Sequence, residues 1–186
     1  MNLPIETERL RLRKYEDRDV ADILEYSSDA DFWVARNLDW PVSEEGVKAY
    51  WEVHRDIDPG TDPTWFSLVV ELKAEKKVIG HVGIGVIKTG EHRQGMIGWL
   101  LGRKYQGQGF ATEAVRALVT AGFDQMGLHR IFARTGKDNE RSWRLMERLG
   151  MRREAHFRES HVMKGEWRDE FIYAILCDEW RAKQGG

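Results

Sequence analysis

Hydrophobic and polar positions divide the chain into strands with a two-residue period and helices with a period near 3.6 residues. The predicted strands are Leu10–Arg13, Trp65–Glu71, Lys77–Lys88, Gln94–Leu101, Arg130–Thr135, His156–Val162 and Glu166–Cys177. The predicted helices are Asp17–Tyr26, Ser43–Asp56, the stretch between Gly109 and Gly127, and Asn139–Leu149. No repeat or linker interrupts this order. It predicts one domain, residues 1–186, built on a mixed α/β sheet rather than a regularly alternating doubly wound one.

The run Gln106–Ala114 contains the strongest chemical signal in the sequence. Glycines at positions 107 and 109 leave backbone N–H groups uncovered, and an amphipathic helix follows at once, with Val115 and Leu118 on its apolar face. Unpaired N–H groups and the positive end of the helix dipole converge at such a helix start. The run therefore predicts a phosphate-binding loop, with an ordinary glycine turn as the alternative.

Two common phosphate-binding motifs are excluded by the residues of this run. It lacks the Gly-Lys-Ser/Thr sequence of a nucleotide-hydrolysing P-loop. It also lacks the G-x-G-x-x-G spacing of dinucleotide-binding folds. The loop is therefore expected to hold a phosphate-bearing ligand of another class.

A second helix start is predicted at Asn139, which is a favourable N-cap residue. Ser142 falls on the same face as Leu145, Met146 and Leu149, so its hydroxyl points inward beside apolar neighbours. One interpretation is a local cap in which Ser142 bonds back to Asn139. The other is a hydroxyl directed at a ligand that lies between the two helix starts.

Composition and charge narrow the class of protein. The chain has 186 residues, of which 41% are hydrophobic and 32% charged, as is typical of a soluble globular protein. A net charge of -2 argues against nucleic acid as a partner. The N-terminus has no signal-peptide core, and no apolar stretch is long enough to span a membrane. With Cys177 as the one cysteine, expected to be a buried thiol, a reducing cytoplasmic setting is predicted and no metal is expected.

Several spaced motifs together resemble the GNAT superfamily of N-acyltransferases, closest to its RimJ/RimL-like branch. The motifs are Thr7–Arg13, Ile79–Gly83, Ile97–Leu101, the acyl-CoA loop Q/R-x-x-G-x-G/A at Gln106–Ala111, and Asn139 with Ser142 and Leu149–Met151. The resemblance covers nearly the whole chain. It implies the GNAT acyl-CoA N-acyltransferase fold, a mostly antiparallel central sheet that is splayed between its fourth and fifth strands and flanked by helices.

The resemblance also implies acetyl-CoA as the acyl donor and assigns residues to it. The pyrophosphate would lie on the loop amides, the pantetheine arm along the splayed strand, and Asn139 on the opposite side. A backbone N–H near Leu100 or Leu101 would polarise the thioester carbonyl. The predicted coenzyme-binding residues are Trp99, Leu100, Leu101, Gln106, Gly107, Gln108, Gly109, Phe110, Ala111, Thr112, Asn139 and Ser142.

Direct attack of an amine on the thioester requires a neutral amine and a proton for the leaving thiolate. The resemblance assigns the proton donor to Ser142. Relatives often carry a glutamate base where this chain has Met96. His81, Glu91 and His92 are nearby substitutes, and His81 is the predicted catalytic base.

The acceptor amine affects how much help from a base is needed. An α-amine, with a pKa near ~8, is easier to deprotonate by roughly 3 kcal/mol than a lysine with a pKa near ~10.4. The missing carboxylate therefore favours α-amines.

The acceptor is predicted to bind at the Trp- and Asp-rich loop between the first two helices. Its candidate substrate residues are Phe32, Trp33 and Trp40, because aromatic faces suit a cationic amine, with Asp29, Asp31 and Asp39 nearby. A protein N-terminus is the predicted acceptor. A small amine (polyamine, amino acid or antibiotic) is the alternative, and an acyl-CoA-binding module without turnover is a second one. Edge-strand pairing would allow a homodimer.

Overall fold

The computed structural model describes residues 1–28, 43–55, 57, 65–88, 93–163 and 165–184, which contain eight strands and five α-helices. The strands are β1 (Ile5–Glu6), β2 (Leu10–Arg13), β3 (Trp65–Leu72), β4 (Lys77–Lys88), β5 (Gln94–Leu101), β6 (Arg130–Gly136), β7 (Arg152–Met163) and β8 (Glu166–Leu176). The helices are α1 (Val20–Ser27), α2 (Glu44–Arg55), α3 (Phe110–Met126), α4 (Glu140–Arg148) and α5 (Cys177–Gln184). The mixed α/β class predicted from the hydrophobic pattern is confirmed.

One sheet contains all eight strands, in the order β1-β2-β3-β4-β5-β6-β8-β7. Neighbouring strands run antiparallel except β5 and β6, which are parallel and pair only from Gln94 opposite Arg130 to Met96 opposite Phe132. Beyond Met96 the two strands diverge. The predicted splay is therefore confirmed. Because the short strand β1 was not predicted, the fourth and fifth strands of the sequence analysis are β5 and β6 in the structure.

The two faces of the sheet carry different helices. Alternate residues of β5, such as Ile97 and Leu101, pack with the apolar stripe of α3 in the larger core. The residues between them, such as Leu100, belong to a second cluster with Ile23 of α1 and Trp51 of α2. The splay thus opens between a face covered by α3 and a face covered by α1 and α2, so that ligands can approach β5 from either side.

The C-terminal end of the chain differs from the prediction. Cys177 begins helix α5 instead of ending the last strand, because Glu179 of its first turn accepts a hydrogen bond from the Leu176 N–H (3.0 Å) and so caps the helix start. Because Ile175 and Cys177 continue the alternation of apolar residues, the pattern predicted a strand that runs through Cys177. Cys177 itself is buried and free, as predicted. Strand β7 begins at Arg152 rather than His156, because its exposed residues give no apolar alternation.

Candidate functional site

The glycine run forms the start of α3 as predicted. Gly107 (φ +78°) and Gly109 (φ +84°) both adopt the left-handed conformation that favours glycine. The Gly109 carbonyl accepts the first helical hydrogen bond, from the Glu113 N–H (3.0 Å). The N–H groups of the first turn, at Phe110 to Thr112, have no acceptor within the helix. A cluster of donors therefore stands at the positive end of the helix dipole, which suits an anion.

A cavity of about 570 Å³ opens in front of this helix start. Its walls are the diverging end of β5, the glycine loop and the first turns of α4. Nine of the twelve predicted coenzyme-binding residues line it, namely Trp99, Leu100, Leu101, Gln106, Gly107, Gly109, Ala111, Thr112 and Ser142. The structure thus brings together three segments that the sequence analysis related only through motif resemblance.

Three of the predicted coenzyme-binding residues are not among those that line the cavity. The Gln108 carbonyl accepts a hydrogen bond from Arg9 Nη1 (3.1 Å), and its side-chain amide donates to the Lys104 carbonyl (3.0 Å). The Phe110 ring is buried in the core beneath α3. Asn139 is half-buried at the N-cap of α4, where its side chain makes no capping bond. Any contribution of Gln108 and Phe110 to an anion site would come from their backbone N–H groups.

The Ser142 side chain does not form the local cap that was one of its two interpretations. Its backbone N–H donates to the Asn139 carbonyl (3.0 Å), while its hydroxyl has no hydrogen-bond partner within the part of the chain that the structure describes. Leu145 and Met146 of the same helix are buried and fix the rotation of α4. Ser142 is half-buried and is among the residues that line the cavity.

Gln106 connects the two walls of the cavity. Its Nε2 donates to the Leu101 carbonyl (2.9 Å), which lies at the splayed end of β5, and its Oε1 accepts from Arg141 Nη1 (2.6 Å) of α4. One amide side chain thereby satisfies a strand carbonyl and holds the first turn of α4 against the loop. The entrance to the cavity is fixed by polar contacts as well as by packing.

Four arginines line the cavity and were missed in the sequence analysis: Arg103, Arg141, Arg144 and Arg148. Three of them lie on α4 at positions i, i+3 and i+7, beside the apolar stripe that includes Leu145. This basic spacing was visible in the sequence but lay outside the recognised motif. The arginines give the cavity a local positive charge although the chain as a whole is acidic, which suits a ligand with several phosphates.

On the opposite face of the sheet, the Trp65 indole lies over β4 and β5. A Cβ atom at Gly83 would come within 2.5 Å of the indole and could be accommodated only if the indole moved, whereas one at Gly98 would make a tight contact of 3.2 Å. The Trp65 Nε1 donates to Ser67 Oγ (2.9 Å). Met96 projects to this same face by strand alternation. This face of the sheet is therefore aromatic and apolar beside the splay.

His81, the predicted base, is half-buried between Tyr26 and Trp51 on this face. Its Nδ1 is 3.3 Å from the Tyr26 hydroxyl, and its ring is perpendicular to that of Trp51. Burial lowers the pKa of His81 to about 3, with a smaller contribution from nearby His54. The imidazole is neutral at pH 7 but weakly basic, and it is not among the residues that line the cavity.

The remaining predicted residues lie outside the described residues. They are the substrate candidates Phe32, Trp33 and Trp40, the neighbouring Asp29, Asp31 and Asp39, and the alternative bases Glu91 and His92. Among the residues that are described, no group of three or more His, Cys, Asp or Glu side chains is placed to hold a metal ion. No helix of this part of the chain is long and apolar enough to cross a lipid bilayer.

The splayed sheet and the cavity at the glycine loop fit an acyltransferase that uses a coenzyme A thioester. The sequence matches the family model described as "Acetyltransferase (GNAT) domain" over residues 9–152. The chain belongs to the GNAT acetyltransferases, whose fold uses acetyl-CoA.

Comparisons with individual proteins agree with this assignment. The chain is 37% identical to an uncharacterized N-acetyltransferase, YnaD, of Bacillus subtilis (strain 168), over 95% of this chain and 98% of the relative. It is 26% identical to the [ribosomal protein uS5]-alanine N-acetyltransferase of Escherichia coli (strain K12), over 94% and 91% of the two chains. The crystal structure of a GNAT-family acetyltransferase from Bacillus anthracis superposes with a TM-score of 0.80 at 34% identity, covering 95% of this chain and 100% of that one.

We expect His81 to make the folded protein less stable as the pH falls from 6.5 toward 3. The unfolded chain protonates this imidazole near its ordinary pKa, whereas the folded chain does not until about pH 3. The unfolded state therefore binds more protons in this window, and the free energy of unfolding falls by up to about 1.4 kcal/mol per pH unit. Urea unfolding of the wild type and His81→Gln at about pH 7 and 5 measures the effect. An equal fall in the free energy of unfolding of the two proteins between pH 7 and 5 would contradict the lowered pKa of His81.

Proposed function

We propose that this acetyltransferase transfers the acetyl group of acetyl-CoA to the α-amino group of a protein N-terminus. One observation carries the proposal: the glycine-loop amides, the diverging end of β5 and the Ser142 hydroxyl border a single cavity. The ribosomal-protein-alanine N-acetyltransferase among the relatives supports an N-terminal amine as the acceptor. The cytoplasmic setting predicted from the sequence is part of the same proposal.

The proposal places the coenzyme along the cavity in three parts. The pyrophosphate lies on the N–H groups of residues 108 to 111, with the cavity arginines around it. The pantetheine arm follows Trp99 to Leu101, where the splay leaves strand backbone groups able to pair with its amides. Asn139 borders the arm from α4, where its uncapped side chain can turn toward a ligand. The thioester then lies near the end of the splay.

The reaction follows from this placement. A neutral amine attacks the thioester carbonyl, a C–N bond forms, and the negative charge on oxygen is held by a backbone N–H near Leu100 or Leu101. The C–S bond then breaks, and the leaving sulfur takes a proton from the Ser142 hydroxyl, which recovers one from water. Once the C–N bond has formed, the nitrogen is positively charged and loses one proton to water, because His81 has too low a pKa to accept it at neutral pH.

The acceptor enters from the face that carries Trp65, opposite α3. The indole lies on β4 and β5, and β5 forms one side of the splay, so the indole offers an apolar surface near the proposed thioester position. Met96 leaves this surface without the strand carboxylate that relatives often have. An α-amine is therefore a better acceptor than a lysine side chain, because it needs less assistance to lose its proton. A small cationic amine that stacks on the indole is the second candidate.

A panel of acceptors tests the proposal. We expect thiol release from acetyl-CoA with peptides that have a free α-amine, and none with N-terminally blocked peptides whose only amine is a lysine side chain. Turnover of polyamines or amino acids without turnover of peptides would favour the small-amine function. Calorimetric binding of acetyl-CoA without turnover of any amine would indicate a non-catalytic acyl-CoA-binding module.

Replacing Ser142 tests the proton donor. We expect Ser142→Ala to lower kcat by about 100-fold, the lower range for loss of a general acid, while the Kd of CoA changes little. Steady-state kinetics and calorimetry measure the two quantities. The control is Ser160→Ala, which removes an exposed hydroxyl on β7, far along the sheet from the cavity. Unchanged turnover in Ser142→Ala would remove this hydroxyl from the mechanism.

We further infer a homodimer that forms through β7. This 12-residue strand lies at the end of the described sheet, and Phe157 and Val162 on it are 47% and 48% exposed. An outer strand with free backbone groups and apolar side chains pairs readily with a second copy. Sedimentation velocity should show a dimer for the wild type and a monomer for Phe157→Lys. Val53→Lys, at an exposed apolar position on α2, is the control. A monomeric wild type would refute the inference.

A further inference from the structure

We propose that Arg9 and Glu113 are positioning residues for the coenzyme, which fix the glycine loop so that its amides point into the cavity. The inference rests on the proposed binding of coenzyme A at this loop. Arg9 lies just before β2, about a hundred positions from Glu113 in the sequence, yet the two meet at the start of α3. Neither residue was assigned a role from the motifs.

Glu113 is the centre of this contact. Its Oε1 accepts from the Thr7 hydroxyl (2.6 Å) and the Arg9 N–H (2.8 Å), and its Oε2 accepts from Arg9 Nε (2.6 Å). The Thr7 N–H also donates to the Leu10 carbonyl, and the Leu10 N–H donates to the Thr7 hydroxyl oxygen. The Glu113 carboxylate therefore contacts the turn that connects β1 and β2. The glutamate side chain is only 17% exposed. The first turn of α3 is thereby fastened to the N-terminal strands.

Arg9 extends the contact to the loop itself. Its Nη1 donates to the Gln108 carbonyl (3.1 Å), and its guanidinium lies over the Phe110 ring, 4.5 Å from the ring centre. Because a trans peptide is planar, its N–H and C=O groups point in opposite directions. Holding the Gln108 carbonyl therefore turns the Gly109 N–H away from Arg9. Arg9 is not among the residues that line the cavity, whereas Gly109 is.

The charges explain why both residues are needed. A carboxylate in the first turn of α3 is favoured by the helix dipole, but it would repel a phosphate bound at the same helix start. Arg9 offsets this charge while Glu113 holds the guanidinium in place. Burial raises the pKa of Glu113, yet the hydrogen bonds from Thr7 and Arg9 outweigh burial and lower it overall. Glu113 thus stays ionised at neutral pH, and the guanidinium beside it offsets its charge at the loop.

The test compares Arg9→Ala with Arg11→Ala. The two arginines are 41% and 42% exposed, and Arg11 pairs with Glu6 and Glu71 away from the loop. We expect Arg9→Ala to raise the calorimetric Kd of CoA about tenfold, as for loss of one charge-assisted hydrogen bond, while the acceptor KM at saturating acetyl-CoA stays near the wild-type value. Amide hydrogen exchange in residues 106–110 should also accelerate in Arg9→Ala but not in Arg11→Ala.

Equal CoA affinity and equal loop exchange in the two variants would overturn the inference. A wild type that does not bind CoA would instead defeat the proposed function. If Arg9→Ala does not fold, Arg9→Lys serves in its place. Lysine keeps the charge but lacks the planar fork that bonds Glu113 and the Gln108 carbonyl together, so its CoA affinity should also fall. Wild-type affinity in Arg9→Lys would likewise overturn the positioning role.

Discussion

The site depends on one constraint: parallel strands β5 and β6 pair over only three residues. Past Met96, the edge of β5 that would continue this pairing has no strand beside it in the described part of the sheet. Backbone N–H and C=O groups in such a position need other partners, because leaving them buried and unpaired is costly. The Gln106 side chain supplies one for the Leu101 carbonyl. A ligand whose own amides can pair with a strand is the natural partner for the rest.

The helices on either side of the splay are held in fixed positions by packing and by hydrogen bonds. Helix α3 packs a continuous apolar stripe, including Val115 and Leu118, into the larger core and ends at Gly127 with φ +63°. Its opposite end is held by Arg9 and Glu113, and α4 is held by Leu145 and by the bridge from Gln106 to Arg141. The N–H groups in the first turn of α3 are therefore oriented before any ligand arrives. Preorganised donors avoid the cost of ordering a loop during binding.

Local patterns were enough to predict much of this arrangement. Strands β2, β4 and β5 have the predicted bounds, since their alternating side chains are read directly from the sequence. The loop before α3 was predicted from its two glycines, and in the structure both adopt the left-handed backbone that favours glycine. The cavity lining was recovered largely because the family motifs place the loop, the splayed strand and the start of α4 together. The roles of these residues in binding and catalysis remain predictions.

Features that depend on contacts between distant segments were not predicted. The Arg9–Glu113 pair joins residues far apart in the sequence, and the glycines at 83 and 98 become meaningful only when the Trp65 indole is seen across them. Helix α5 was missed because its first residue continues a strand alternation, and its capping by Glu179 becomes apparent only in three dimensions. Each of these features is a contact between segments that are brought together only by folding, and such a contact leaves no periodic pattern in the sequence.

The face that carries Trp65, where we propose that the acceptor binds, provides a physical account of catalysis without the strand carboxylate. Burial on this face disfavours positive charge strongly enough to lower the pKa of His81 to about 3. The same desolvation would act on an ammonium group brought against Trp65 and Met96, and would favour release of its proton to water. Attraction between the indole and a cation opposes this, but it amounts to only about 0.5–2 kcal/mol. If the acceptor binds here as proposed, an amine of low intrinsic basicity would become nucleophilic without a dedicated base, whereas a lysine side chain starts further from neutrality. With Met96 in place of the expected glutamate, desolvation of the amine would then perform part of the role of the base.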